Sequence, residues 1–169
     1  MDNYLQLVKK AKKGDSESFA VLYAEFYENM FRFALYTLRN TADAEDAVSE
    51  AVADAFLNIR KLRTEEAFRS WIFRILSNKC KDKLREYTKK QVSLDEQLTE
   101  SLKEEGPEDA AMIRHTYFEL EDEERLIIGM HLFCGYKSRE IAAILHMNEN
   151  TVRSKESRGL KKMEAKLLQ

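Results

Sequence analysis

The sequence predicts an all-α protein of two small helical domains joined by a flexible acidic linker, the C-terminal domain containing a helix-turn-helix. Three observations predict it. Only five Gly and one Pro interrupt 169 residues that are 44% hydrophobic and 34% charged, the balance of a helix-rich soluble protein. Apolar residues recur at three- and four-residue spacing through most of the chain, the period of a helix with one buried face. The period fails from Thr88 to Ala110, where polar and acidic residues surround Gly106-Pro107. That stretch is a linker, and it divides the chain into units over 1–88 and 111–169 with 89–110 between them.

In order, residues 3–13 predict a short amphipathic helix on Leu5, Leu7, Val8 and Ala11, ended by Gly14. Asp15 or Ser16 then caps a longer helix with Phe19, Leu22, Tyr23, Phe26, Tyr27, Met30, Phe31, Ala34, Leu35 and Leu38 turned inward. An aromatic stripe at this spacing is core and offers no cofactor box.

Asn40-Thr41-Ala42-Asp43 marks the next boundary, and a helix from Ala44 to about Leu62 buries Ala44, Val48, Ala51, Val52, Ala55, Ile59 and Leu62. Asp43, Asp46, Glu50 and Asp54 fall within a sector ~80° wide beside that stripe. Acids are welcome at a helix N-terminus, which accounts for Asp43 and Asp46 but not for Glu50 and Asp54. Stacked carboxylates repel one another, so the line reads as a docking strip for a basic protein surface.

Arg63 to Ala67 is a charged loop, and Phe68 to Tyr87 the next helix, with Phe68, Ile72, Ile75, Leu76, Cys80 and Leu84 as its core. Arg74, Asn78, Lys81 and Arg85 form a stripe ~60° wide facing away from that core. Trp71 sits between the two faces. Cations, an amide and flanking aromatics at Trp71 and Phe73 are the composition of a DNA contact with base stacking.

After the linker, Met112–Phe118 begins a second helical unit, and Glu121-Asp-Glu-Glu124 starts a helix carrying Leu126, Ile127, Met130, Leu132 and Phe133 that ends at Gly135. Ser138 is the expected N-cap of a short helix burying Ile141, Ala142 and Leu145. His146-Met147-Asn148-Glu149 breaks the pattern, Asn148 or Asn150 caps again, and Thr151-Val152-Arg153 opens a last helix. Short hydroxyls at Ser154 and Ser157 alternate there with Arg153, Lys155, Arg158, Lys161 and Lys162. Two short helices and a tight turn with such a second helix suit base edges and phosphates in a major groove.

A net charge of −2 conceals strong segregation. Residues 40–59 carry −5, 60–90 carry +7, 91–124 carry −10 and 151–169 carry +4. Two basic blocks separated by an acidic one suit two separate polyanion contacts. The same alternation suggests that the acidic linker folds back on a basic face. Cys80 and Cys134 are too few for a disulfide framework and read as reduced, semi-buried thiols of a cytosolic protein. No apolar run is long enough to span a membrane, and Met1-Asp-Asn-Tyr-Leu lacks the features of a signal peptide. No phosphate loop, metal-spaced Cys/His set or nucleophile elbow is present, so neither an enzyme nor a cofactor or metal is expected.

The order of these features resembles the sigma-70 family of bacterial RNA polymerase sigma factors, in its small extracytoplasmic-function (ECF) type. Asp43-Ala-Glu-Asp-Ala-Val-Ser-Glu50 is similar to the family's signature in the helix that docks on the polymerase clamp. Phe68-Arg-Ser-Trp-Ile-Phe-Arg-Ile-Leu-Ser-Asn78 is similar to its promoter −10 reader, Leu120 to Leu145 to its region 4.1, and Asn150-Thr-Val-Arg-Ser-Lys155 to its −35 recognition helix. The resemblance covers essentially the whole chain. It implies a subunit that binds core RNA polymerase at the β′ clamp and β flap, and that directs promoter-specific initiation and assists opening. Asp43, Asp46, Glu50 and Asp54 would bind core; Arg69, Trp71, Arg74, Asn78, Lys81 and Arg85 the −10 element; Asn150, Thr151, Arg153, Ser154, Lys155, Ser157, Arg158, Lys161 and Lys162 the −35 element. A flipped base would be held by the loop around Leu62–Glu66. Many members are held inactive by an anti-sigma protein.

Two positions depart from the family pattern. Glu156 stands where a packing Leu is usual, and is expected either to reach solvent in a rotated helix or to pair with a nearby base. Gly159 costs ~1 kcal/mol of helix propensity relative to Ala. The rival to the sigma reading is a helix-turn-helix regulator that binds DNA without polymerase, the N-terminal half serving as a dimerisation or sensor domain.

Overall fold

A computed structural model describes residues 2–90 and 108–169. The segment 91–107, which includes most of the expected linker with Gly106-Pro107, lies outside the described residues, and so does any contact it makes with a basic face. Among the described residues eight α-helices and two short 3-10 turns run in the order α1 (Asp2–Lys12), α2 (Ser16–Leu38), α3 (Thr41–Asn58), 3-10 turns at Ile59–Lys61 and Glu65–Ala67, α4 (Phe68–Lys90), α5 (Glu108–Phe118), α6 (Asp122–Cys134), α7 (Ser138–Leu145) and α8 (Glu149–Leu167). Among the described residues there is no strand.

Local chemistry sets the boundaries. After α1, Gly14 takes φ 101°, a left-handed turn that a side chain would strain. Asp15 precedes α2 in extended backbone and accepts from the Ser18 hydroxyl at 2.5 Å. Asn40 caps α3 by accepting from the Asp43 amide at 2.9 Å. Gly135, at φ 70°, closes α6, its amide reaching the His131 carbonyl in an αL ending while Tyr136 returns to the carbonyl of Met130. The helix expected to run to Leu62 changes to a 3-10 turn at Ile59, and α4 extends to Lys90, past the expected end at Tyr87.

Helices α1 to α4 form one bundle and α5 to α8 a second, and the two pack together: α2 lies against α6, and α4 against α7. One buried cluster runs from Val8 of α1 to Val152 of α8, and a smaller one joins Tyr117, Leu120, Ile128 and Met163. The faces that meet are ones the periodicity left outside the core. Phe33 and Phe73 are wholly buried. Phe73 crosses Phe33 at 6.4 Å and Tyr136 at 5.6 Å between ring centroids. Tyr36 of α2 sits 4.6 Å from Phe133 and 5.9 Å from Tyr117, and Arg39 lies 4.8 Å over Phe118. Gly129 permits the approach of α2 and α6: a Cβ there would stand 2.7 Å from the Tyr117 hydroxyl and 3.4 Å from Phe33. A buried aromatic of this size contributes roughly 1.5–3 kcal/mol, so Phe33 and Phe73 alone make the contact between bundles substantial. Two expectations are corrected. Tyr27, placed inward, is 45% exposed, because α2 gives that sector to solvent and Phe33 to α6. Phe73, placed beside DNA, is core, because α4 packs on both bundles.

Candidate functional site

The acidic line of α3 lies along the seam with α4. Lys79 pairs with Asp54 at 2.7 Å and reaches Glu50 at 3.8 Å, Lys83 lies 3.9 Å from Asp43, and the Tyr87 hydroxyl donates to Asp43. The hydrogen bond from Lys79 to Asp54, with both carboxylates nearby, raises the lysine's pKa. Burial first, then Asp43, pushes the Tyr87 phenol up. The expected mutual repulsion of the four acids is therefore relieved by cations one helix away. Such partly exposed pairs are worth ~0–1 kcal/mol each. Asp46 and Glu50 remain exposed, so the strip presents a carboxylate edge whose inner members also hold α4.

On α4 the expected −10 residues divide into three groups. Trp71 and Asn78 line an open cavity of about 350 Å³ between α3 and α4, with Asp54, Asn58, Lys61, Ile75, Lys79 and Asp82. Lys81 is partly buried one turn beyond Asn78, and exposed Arg85 pairs with Asp82 at 2.9 Å. Arg69 and Arg74 instead reach the second bundle. Arg69 donates to the Cys134 carbonyl with its guanidinium 4.6 Å over Tyr136, and Arg74 donates to the Ala143 carbonyl at 3.1 Å. Asn58 and Lys61 were missed in the sequence, because the helix was expected to run on to Leu62 and they meet Trp71 only where α3 packs on α4. An indole wall, two amides, two lysines and two carboxylates, one of them Asp54 already paired with Lys79, make a recess suited to a planar, hydrogen-bonding guest.

In the second bundle the N-cap of α7 is Lys137, whose amide donates to Glu140 at 2.8 Å. Ser138, the expected cap, is displaced by one position and donates its hydroxyl to Glu156 at 2.8 Å. His131 Nδ1 lies 3.4 Å from the same carboxylate. Of the two alternatives for Glu156, escape to solvent is not found: the carboxylate lies largely buried against Ser138 and His131, and its hydrogen bond comes from a hydroxyl. Asn148 caps α8, accepting from the Asn150 amide at 2.9 Å.

Helix α8 has two distinct sides. Val152, Gly159 and Met163 are buried, and flanking cations join them: Lys155 pairs with Glu123 at 2.6 Å, Lys162 with the buried Glu124 at 2.9 Å, and Lys166 with Glu119. A Cβ on Gly159 would stand 2.5 Å from Ile128 Cδ1, so the glycine marks the place where α8 presses closest on α6. Asn150, Thr151, Arg153, Ser154, Ser157, Arg158 and Lys161 are all exposed on the other side, Arg153 pairing within the helix to Glu149 at 2.5 Å. Of the nine expected −35 residues, seven share the outward side; Lys155 and Lys162 tie the helix to its own bundle.

Among the described residues no His/Cys/Asp/Glu group could hold a metal, and no helix is long and apolar enough to cross a membrane. Cys80 and Cys134 are free and buried, and burial pushes both thiols up to about 12.

Comparison with known proteins places these surfaces in context. Residues 22–90 match the model of sigma-70 region 2, and residues 118–163 match that of sigma-70 region 4. The RNA polymerase sigma factor SigV of Bacillus subtilis (strain 168) is 32% identical over 83% of this chain and 85% of its own length. The ECF RNA polymerase sigma factor SigW of the same organism is 27% identical over 95% and 94%. Among solved structures, CnrH in complex with the cytosolic domain of CnrY matches with a TM-score of 0.76 at 21% identity over 96% of each chain. RpoE from Bartonella quintana, solved with the anti-sigma factor NepR, matches with 0.73 at 17% identity over 89% of this chain and 97% of that one.

Proposed function

The chain belongs to the sigma-70 family of RNA polymerase sigma factors, in its ECF branch, and from that premise we propose how its two bundles divide the work of promoter recognition. As a sigma factor it binds core RNA polymerase and directs promoter-specific transcription initiation. The bond chemistry stays with core polymerase, and the subunit acts in the cytoplasm, where that enzyme works. Residues 1–88 are the core-binding and −10 unit, 89–110 the linker and 111–169 the −35 unit.

In this reading Asp46 and Glu50 carry the carboxylate edge to the basic β′ clamp, and the second bundle meets the β flap. The outward side of α8 enters the major groove at the −35 element. Its short hydroxyls and amide reach base edges, and Arg153, Arg158 and Lys161 reach bases or phosphates. At the −10 element an unstacked base enters the α3–α4 cavity, stacking on Trp71 with the Asn58 and Asn78 amides at its edge. Capture of that base favours the melted strand over duplex, which is how a protein without bond chemistry assists opening.

Elements about 25 base pairs apart lie about 85 Å apart along duplex DNA, whereas α4 and α7 touch here. Reading both elements therefore requires the bundles to part, breaking the contacts of Arg69 and Arg74 with the second bundle. An anti-sigma protein, the partner named for the RpoE relative, is a further partner in this reading.

The observation that carries the proposal is the cavity of Trp71, Asn58 and Asn78 in the bundle that does not hold the helix-turn-helix. A regulator reading duplex DNA through α8 alone would have no use for it. The test is run-off transcription with core polymerase on genomic fragments: specific initiation that depends on this chain is the expected result. Tight binding of the free chain to duplex sites with no transcript would overturn the proposal.

A further inference from the structure

A second cationic surface borders the α3–α4 cavity and shares Lys61 with it. The end of α1 contributes Lys9, Lys10 and Lys13, and the first 3-10 turn and the residues after it contribute Arg60, Lys61 and Arg63; all six are exposed. The fold brings these two segments together although some fifty residues separate them in the chain. Helix α1 packs against both 3-10 turns. Lys12 bridges to Glu65 at 3.2 Å, and the Arg60 guanidinium lies over Gly14, 3.5 Å from where a Cβ would stand. Glu65 is held below the usual carboxylate range by its own backbone amide first, and then by Lys12 and Lys9, which brings Lys9 to the same loop. Residues 9–15 and 60–66 together hold seven bases and three acids. One of those acids, Glu65, pairs with Lys12, while Asp15 accepts from the Ser18 hydroxyl and lies near Lys10, so the face keeps a net excess of cations.

The surface is continuous with the cavity, because Lys61 belongs to both. A strand that delivers one base into a recess carries a phosphate on either side of that base. Its backbone must leave the cavity over one of the rims, and the rim at Lys61 leads onto the cations of α1. Like charges gathered on one exposed face repel one another unless a polyanion covers them. A basic groove bordering a stacking platform is the arrangement by which single-stranded nucleic acid is held without regard to sequence.

We infer that the α1 lysines Lys9, Lys10 and Lys13, with Arg60 and Arg63, form a phosphate-binding platform for the melted DNA strand whose base occupies the α3–α4 cavity. The inference rests on the promoter-opening reading of that cavity and extends it to a segment, the end of α1, that lies outside the region 2 match at residues 22–90. The platform adds affinity and salt dependence and no sequence preference.

The test uses the complete chain bound to core polymerase, comparing wild type with the triple variant Lys9→Ala, Lys10→Ala, Lys13→Ala. Lys12 is left in place because it holds Glu65. All three positions are exposed on a helix and alanine favours helix, so unchanged circular dichroism and melting temperature are the folding control. Each single-strand phosphate contact contributes about 0.7 to the slope of log affinity against log salt. The triple variant should lower that slope by about 2 for open promoter complexes, shorten their lifetime several-fold at 0.15 M salt, and leave the ranking of promoter sequences unchanged. Arg60→Ala with Arg63→Ala should act in the same direction. An unchanged slope and lifetime would overturn the inference, as would a loss confined to core binding, which would make the face a contact for an acidic protein surface. Failure of wild type itself to initiate would instead strike the promoter-opening reading, so the two failures are told apart.

Discussion

The Ser138 hydroxyl donates to Glu156 Oε2 at 2.8 Å, joining the first turn of α7 to the middle of α8 across eighteen residues of sequence. His131 of α6 approaches the other oxygen of the same carboxylate at 3.4 Å. One side chain thus joins three of the four helices of the second bundle, α6, α7 and α8, at a position where the family usually packs a leucine. A polar tether is directional in a way that an apolar contact is not, and together with the burial of Val152, Gly159 and Met163 and the pairs of Lys155 and Lys162 it holds the rotation of α8 about its axis. The rotation decides which residues face outward.

Replacing Glu156 by alanine should cost about 1–2 kcal/mol, the worth of a hydrogen bond to a charged acceptor that is only partly exposed. Glu156→Gln, which keeps an acceptor for Ser138, should lose less. Urea denaturation of the two variants checks the order. Because the tether helps to hold that rotation, Glu156→Ala should also lower transcription from promoters that depend on their −35 element more than from those that do not.

The two sides of α8 predict opposite phenotypes for neighbouring cations. Arg158→Ala, on the outward side, should leave stability unchanged within experimental error and weaken −35 recognition by about 1–3 kcal/mol if it reads a base. Lys162→Ala should do the reverse, because Glu124 is 2% exposed and loses its partner at 2.9 Å. A fully buried pair broken in this way costs about 3–5 kcal/mol; with Lys162 half exposed, about 1–2 kcal/mol is expected. Thermal denaturation and promoter-binding titrations on both variants separate the two roles.

Gly159→Ala sets helix propensity against packing. Alanine gains ~1 kcal/mol in a helix interior, but its Cβ would stand 2.5 Å from Ile128 Cδ1, and overpacking a filled core costs about 1–3 kcal/mol. Ile128 is 1% exposed between Tyr117, Leu120 and Met163, so its δ-methyl has little room to swing away. Net destabilisation is expected. Ile128→Val, which deletes that methyl, should relieve it, and a double-mutant cycle on unfolding free energy should give a favourable coupling between the two substitutions.

Most of this molecule was legible as sequence, and the largest exceptions share one cause. Helix boundaries followed from Gly14, Asn40, Gly135 and Asn148, whose backbone or capping chemistry is local. The line of Val152, Gly159 and Met163 was equally legible, and setting Lys155 and Lys162 on the same wheel would have shown both beside it. What periodicity could not supply was the second buried face of α2 and of α4. Phe33, Tyr36 and Phe73 pack inward only because the other bundle covers them, and the covering residues lie about sixty to a hundred positions away in the chain. Arg69 and Arg74 were legible as cations, but not as donors to carbonyls of Cys134 and Ala143. The α3–α4 cavity was half legible: Trp71 and Asn78 stood out, while Asn58 and Lys61 join them only once α3 and α4 lie side by side.

The seam between α3 and α4 sharpens the expected effect of charge reversal. Asp46→Lys changes an exposed carboxylate, so core-polymerase affinity should fall by at least tenfold while the melting temperature stays put. Asp54→Lys sets a cation against Lys79, which now donates to Asp54 at 2.7 Å, and should disturb the seam and the adjacent cavity before any effect on core binding. Equal polymerase affinity for wild type and Asp46→Lys would reduce the strip to a solvated face that merely holds α4.

The buried thiols predict an alkaline limb in stability. Burial raises both Cys80 and Cys134 from 9.0 to about 12 in the folded chain, while the unfolded chain titrates near the ordinary value. Between those limits the folded state binds more protons than the unfolded one, so the slope of unfolding free energy with pH is negative. The contribution of each thiol is therefore fully present below pH 9 and is lost as pH rises toward 12. Urea midpoints measured from pH 7 to 10.5 should be flat up to about 9 and then fall. Cys80→Ala should make the fall shallower, while costing stability at neutral pH through lost core volume. The same burial predicts slow reaction with iodoacetamide at pH 8, accelerating in urea in step with unfolding; fast labelling of both cysteines in the folded chain would contradict it.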